Sequence, residues 1–445
     1  MHLHVHSYRI NSMPTMRKLY FISIMIVMSS SVLGQDLEEV YQQVLQSDPR
    51  LRIDKLGVEV SVSHEQQAFG ALLPQINIRS NWTENERLTD GGTPQSYSGE
   101  RHTFSMKQPL YDMPAYYAWK KTEDIYKQKL SEQKATDSKV RLDTIKRYFR
   151  LLDVLDELVL IQEEKAAVEK KVEVISALYK LQRVKITEFY ESKARLAILD
   201  TDEIDGMQAV DLAKEDLREL TNSPIGNISP LSETLDFIQR VENIDDWSEK
   251  AVPANYELIA LQKAISAAES NISKESAGHL PLLELNLTKQ KSNIGYEFSA
   301  SSATITEVAS LDFVLPLFSG GRTSARVYEA TQNLELAKAQ YEVEKRRIIK
   351  ETRDTFLVVN ALARRIESTN KSVESAKKSY QAMNRSFELG IADVSQVLDA
   401  QQVYSESKRH YQAAKYGYIV NKAKLLEVSG KLNDDTINKI SKWLL

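Results

Sequence analysis

The stretch Phe387-Glu388-Leu389-Gly390-Ile391-Ala392-Asp393-Val394-Ser395-Gln396-Val397-Leu398-Asp399-Ala400 divides two very long helical patterns, one over about 322–388 and one running on to about 430. Gly390 is the residue here that reaches a left-handed conformation at no steric cost, so the first helix breaks there. Asp393 or Ser395 then caps a second helix that carries Val394, Val397, Leu398 and Val403 at three- and four-residue spacing. The stretch is therefore the tip of a long helical hairpin, with Asp399 one turn inside it.

Working outward, the hairpin has a counterpart. At a shift of 207 residues, Asp48-Pro49-Arg50-Leu51 falls on Asn255-Tyr256-Glu257-Leu258, Leu73-Pro74 on Leu280-Pro281, and Pro109-Leu110-Tyr111 on Pro316-Leu317-Phe318. Phe149, Leu152, Leu155 and Val159 fall on Phe356, Val359, Leu362 and Ile366. Punctuation and helix core share one register, which identifies an internal duplication. Each copy reads as a helix (about 49–70 and 255–277), two strands, a long helix (about 114–182 and 322–388), a tip and a return helix. The strands show a period of two: Ile76, Ile78 and Trp82 alternate with Asn77, Arg79 and Asn81, and Leu283, Leu285 and Leu287 with Glu284, Asn286 and Thr288.

This organisation divides the chain into five parts: an upstream extension and signal peptide over 1–34, a first repeat over 36–222, a connector over 223–246, a second repeat over 247–430 and a tail over 431–445. In the first repeat the strands are expected at about 74–86 and 101–111 and the tip at about 181–187. In the second they are expected at about 281–298 and 304–318, with the tip at about 388–395. Only 15 Gly and 11 Pro occur, which favours long helices over a turn-rich fold.

The address is written at the start. The apolar run Leu19 to Met28 follows Arg17-Lys18 and precedes small residues ending at Gly34. It is too short to span a bilayer and reads as a secretory signal, with Met16 the expected first residue and the mature chain expected to start near Gln35. Without residues 1–34 the chain has 55 basic and 62 acidic groups, a balance of −7 that disfavours nucleic acid as a partner. There is no Cys, hence neither disulfide nor lipid anchor. No phosphate loop, nucleophile elbow or metal-ligand spacing occurs, so no catalytic residue, metal or cofactor is expected. His64, His102, His279 and His410 stand isolated, and acidic pairs such as Glu163-Glu164 and Asp245-Asp246 read as solvated helix faces.

A helix of about 70 residues is roughly 105 Å long and must bury its stripe against neighbours. Ile145, Tyr148, Leu152, Leu155 and Val159 form such a stripe, widened by Phe149, Leu151 and Leu158, as a ring of helices requires. The strands match the length of tilted membrane strands, yet four strands cannot close a barrel and open edges do not persist in lipid. Three chains would supply twelve. Trp82, Tyr111, Tyr296, Phe298 and Phe318 near the strand ends suit an interfacial girdle.

With the signal and the duplicated unit, three motifs carry a resemblance: Gln108-Pro109-Leu110-Tyr111-Asp112, Leu315-Pro316-Leu317-Phe318-Ser319-Gly320-Gly321, and the tip Leu389-Gly390 with Val397-Leu398-Asp399-Ala400-Gln401. Over about 36–430 the chain resembles the TolC family of outer-membrane export ducts. The resemblance implies a mixed α+β membrane protein. As a homotrimer it would form a 12-stranded outer-membrane β-barrel, continued by a long α-helical periplasmic barrel. It also implies a passive duct in outer-membrane lipid, docking a periplasmic membrane-fusion adaptor and an inner-membrane RND, ABC or MFS pump to export small molecules. Asp399 would belong to an acidic ring at the pore gate, with Glu191 and Glu188 as first-copy counterparts. The family's second ring falls on Gln396, and its latch arginine on Ala392. Arg385, Leu389, Gly390 and Arg183 would form the adaptor-docking tip. Pro109, Leu110, Pro316, Leu317, Gly320 and Gly321 would be the barrel-to-helix joints. A protein-secretion duct of the same fold is an alternative use. A soluble periplasmic scaffold would explain the hairpins, but neither the two copies nor the alternating strands.

Overall fold

The computed structural model describes residues 34–444 apart from 89, 233–237, 239, 240, 242 and 295–299. The signal segment, Tyr296 and Phe298 lie outside the described residues. In chain order the elements are α1 (Leu37–Ser47), α2 (Pro49–Gly70), β1 (Gln75–Arg87), β2 (Gln95–Tyr111), α3 (Met113–Lys180), α4 (Ile186–Thr221), α5 (Ile244–Ala254), α6 (Tyr256–Ser276), β3 (Leu282–Ile294), β4 (Ala300–Val314), α7 (Arg322–Glu388), α8 (Val394–Val428) and α9 (Asp434–Ser441).

The helix starts are set by short polar caps. The Asp48 carboxylate accepts from the Arg50 amide ahead of Pro49, and the Asn255 side chain accepts from the Glu257 and Leu258 amides. Asp112 does the same for α3, accepting from Ala115 N at 2.9 Å. α3 and α7 then run the full height of the subunit. α3 packs on α2 and α6 nearer the strands and on α4 and α8 nearer the tips, while α7 packs on α6 and α8. Shorter helices meet end to end between them. Asn255 Nδ2 donates to the last carbonyl of α8, Val428 O, at 2.9 Å, and Ser47 Oγ donates to Leu220 O at 2.7 Å. Each junction satisfies carbonyls that a free helix end would leave bare.

The main core is a belt around these junctions. Ile145, Tyr148, Phe149, Leu151 and Leu152 of α3 pack with Leu37, Val40 and Tyr41 of α1, Ala414 and Tyr418 of α8, and Ile437 and Ile440 of α9. The chain ends and connector close the belt: Gln35 bridges Ile228 in parallel, and Leu231 bridges Leu444. Val159, expected on the seam, is instead exposed in the single subunit. Leu160 and Ile161 beside it are buried, so Val159 falls on the outward face of α3.

The four strands form one antiparallel sheet in the order β1-β2-β3-β4. The register lines up Ile76, Met106, Leu287 and Ala309, and sets Ile78 opposite Phe104, Leu285 opposite Leu311, and Leu283 opposite Phe313, all on one face. The other face carries Asn77, Ser105, Thr288 and Arg79. There Lys107 pairs with Glu284 at 2.8 Å, and Asn286 donates to Asp312 at 2.6 Å. The strands extend further from the helices than their apolar alternation signals. β2 begins at Gln95 rather than near 101, its polar start pairing with Trp82 to Arg87. β4 begins at Ala300, inside the expected loop, and stops at Val314, because Pro316 has no amide for a ladder.

Candidate functional site at the hairpin tips

The two tips use one backbone solution with different residues. Gly390 sits at φ 73° and Gln182 at φ 57°, both left-handed. Ile391 N donates to Ser386 O and Arg183 N to Leu178 O, both at 2.9 Å, so each turn returns an amide to the helix it leaves. The glycine missing from the first tip is thus replaced by a strained Gln. At the second tip Asp393 precedes α8 in extended conformation, and its amide donates to Gln396 Oε1 at 3.2 Å. Gln396 therefore acts as the partner in a capping box, which occupies the side chain expected at the second gate ring.

An apolar plug locks the four helix ends together. Val168 and Ile175 of α3, Leu199 of α4, and Val394 and Leu398 of α8 are buried against one another, with Phe189 and Phe387 beside them. Tyr179 stacks on Phe189 with centroids 4.9 Å apart. Around the plug the charged groups sort themselves. Ser395 Oγ donates to Glu191 Oε2 at 3.1 Å, which brings the first-copy acid onto the start of α8. Asp399 lies one turn beyond Ser395 on the same helix face, exposed and free of any hydrogen bond or ion pair among the described residues. Glu188 faces its own Lys185 at 3.8 Å. Glu191 and Asp399 thus share one flank of the tip, whereas Glu188 and Gln396 serve their own helix starts.

The docking candidates separate likewise. Arg385 pairs with Glu388 at 2.9 Å, and Arg183 is exposed. Leu389 is 62% exposed, and Leu181, Ile186, Tyr190 and Ile391 are exposed with it. These four apolar residues were not singled out by spacing, because beside a turn they match no helical stripe. The joint residues stand at the far end of α3 and α7. Pro109 and Leu110 sit at a register shift before Tyr111, Leu317 is 89% exposed beside Pro316, and Gly320 and Gly321 lead into α7 with positive φ.

One charged centre contradicts the sequence reading. Glu164, expected on a solvated face with Glu163, is 3% exposed. Its carboxylate takes Arg195 of α4 at 2.5 Å and Arg409 of α8 at 3.3 Å, and its backbone carbonyl accepts from Gln401 Nε2 at 3.3 Å. Glu163 keeps the surface role, paired with Lys408 at 2.6 Å. Asp245 also behaves as expected, on the surface with Arg353 at 2.9 Å. No sequence signal marks Glu164, since its burial needs three helices to converge.

Among the described residues no helix is long and apolar enough to cross a membrane. A sheet with one apolar outer face, set on two hairpins with acid-bearing tips, defines a subunit of a membrane channel with a helical extension. The family model described as outer membrane efflux protein matches residues 247–431. Outer membrane protein TolC of Vibrio cholerae serotype O1 is 25% identical over 96% of this chain and 99% of its own length. The proteases secretion protein PrtF of Dickeya chrysanthemi is 24% identical over 96% of this chain and 95% of its own. Among solved structures, the CusC channel superposes with a TM-score of 0.80 at 16% identity, covering 89% of this chain and 92% of that one. Over most of its length the chain is similar to TolC-family outer-membrane channels, and its second half matches the efflux-protein family model.

Proposed function

We propose that three copies of this chain close into a twelve-stranded barrel and a helical periplasmic tunnel, a passive, non-enzymatic duct for efflux or secretion across the outer membrane. One observation carries the reading: the sheet has two edges, β1 and β4, unpaired among the described residues, with an exposed apolar face between them. In lipid such edges must pair, and β4 of one copy against β1 of the next removes all of them at once. The outer faces of α4 and α7 agree, with Ile198, Ile204 and Leu212 on one and Tyr328, Leu336 and Val343 on the other exposed in the single subunit.

In this assembly Asp399 and Glu191 repeat around the narrow end and concentrate cations there. The exposed tip residues Leu181, Leu389 and Ile391, with Arg183 and Arg385, would form the surface for a periplasmic adaptor coupled to an inner-membrane pump. Energy comes from that pump. Small molecules are the favoured cargo, and polypeptide export through the same lumen is the second reading, favoured by the likeness to PrtF. The test is detergent extraction from the outer-membrane fraction, followed by mass measurement and electron microscopy. A three-copy particle with a lumen is expected. A monomer, or recovery in the soluble periplasm without detergent, overturns the proposal.

A further inference from the structure

Far from the tips, a cavity of about 600 Å³ opens between the last turns of α8 and the tail helix α9. This is the size of pocket that holds a small ligand. Its floor is apolar, with Ile419, Leu426 and Trp443, and its rim carries Lys422, Lys431, Lys439 and Lys442. Its described lining contains no carboxylate.

The four lysines differ in what occupies them. Lys431 lies over the Trp247 ring at 4.3 Å, and Lys439 has the exposed Asp435 at 3.9 Å. Lys422 is half-buried and Lys442 exposed, and neither side chain has a hydrogen bond or ion pair among the described residues. Burial holds the Lys422 ammonium below the usual lysine range. Compensation of a helix dipole does not account for it, because that effect falls off within the last turn and the last turn of α8 holds no basic residue. A partly desolvated cation on an apolar floor fits an anionic head carrying an apolar body.

We propose that this cavity binds a small amphipathic organic anion, its acidic head on Lys422 and Lys442 and its apolar part on Leu426 and Trp443. A free solute and an anionic lipid present the same head, and the experiment separates them. The purified protein in nanodiscs of zwitterionic lipid is titrated calorimetrically with 2-naphthoate, with 2-naphthamide as the neutral twin and empty discs as the blank. Saturable binding of one naphthoate per chain is expected, with the amide about tenfold weaker or worse. Lys422→Gln and the pair Lys439→Gln with Lys442→Gln should each weaken naphthoate binding about tenfold. Repeating the titration with a water-soluble short-chain phosphatidic acid gives the source: saturable binding tighter than that of naphthoate and weakened in Lys422→Gln assigns the site to lipid heads, and weaker binding than naphthoate assigns it to free solutes. Equal binding of acid and amide, or naphthoate affinity unchanged in both variants, overturns the proposal. This inference does not rest on the trimer.

Discussion

Asp399 and Glu427 show how two carboxylates on one helix acquire opposite characters. Asp399 is exposed at the tip and unpaired among the described residues, so in the proposed duct its charge would face passing ions. Asp399→Ala should lower the cation preference of the reconstituted channel severalfold and weaken block by multivalent cations. Selectivity in planar bilayers equal to that of the parent would remove Asp399 from the gate. Glu427 instead lines a cavity of about 390 Å³ at the α8–α6 junction, facing Lys139, Asp143 and Lys146 of α3, Glu257 of α6, Arg347 and Glu351 of α7, Arg50 of α2 and Lys424 of its own helix. Most of the cations there are committed, Lys146 being the exception among the described residues. Arg347 takes Glu257 at 2.6 Å and Glu351 at 2.7 Å, Lys424 takes Glu351 at 2.9 Å, and Lys139 pairs with Glu257. Burial, reinforced by Glu257 and Glu351, pushes the Glu427 carboxyl from 4.5 up to about 7. Between those values the folded chain binds a proton that the unfolded chain has released. Its contribution to stability is therefore whole below 4.5 and lost as pH rises through 7, on the order of 3 kcal/mol per chain. Unfolding midpoints should fall from pH 5 to pH 8, and Glu427→Gln should flatten that slope. An unaltered slope in the variant would assign the pH dependence elsewhere.

At the scale of elements, two glycines end α7 and α8 for different reasons. Gly390 has positive φ and open space around it, whereas a Cβ on Gly430 would lie 2.1 Å from the Ala254 carbonyl oxygen. Gly390→Ala should cost about 1–2 kcal/mol, the left-handed penalty alone. Gly430→Ala adds a backbone collision with the end of α5 and should exceed it by at least about 1–3 kcal/mol in chemical denaturation. Equal losses would mean that the junction yields. In the sheet, Leu285 sits on the apolar face opposite Leu311, and Leu285→Arg should cost about 2–4 kcal/mol near the bilayer midplane. An unreduced yield of assembled protein in the outer membrane would reverse the assignment of faces. The hairpins were legible because Gly390, Asp393 and the Val394-Val397-Leu398 stripe are local signals, and local signals survive in sequence. The place of the first tip followed from the repeat, but its conformation did not, since nothing in Leu181-Gln182-Arg183 announces that Gln182 adopts φ 57°. The strand ends and the burial of Glu164 were hidden for a related cause. Ladder pairing of Gln95 to Glu100 and the meeting of Arg195, Glu164 and Arg409 are properties of partners distant in the chain.

At the scale of the molecule, one subunit is unsatisfied along both flanks as well as at its tips. β1 and β4 end the sheet, and α4 and α7 leave apolar side chains exposed on the corresponding sides. The interior of the wall, by contrast, is committed: the Glu164 centre ties α3, α4 and α8 together, and the plug at the tips joins both hairpins. A subunit finished inside and unfinished at two opposite edges closes with copies of itself, and the twist and tilt of membrane strands set how many are needed. The absence of any native Cys makes the edge contact directly testable. Single cysteines placed in turn along Ile76, Asn77 and Ile78 of β1 are combined with single cysteines along Ser310, Leu311 and Asp312 of β4. At least one pairing in register should oxidise in intact cells and give dimer and trimer bands on a non-reducing gel. Scanning the second strand in steps of one residue should show a period of two, because alternate side chains leave opposite faces. Bands that stay at the monomer for every pairing would leave the two edges unjoined and the barrel unformed.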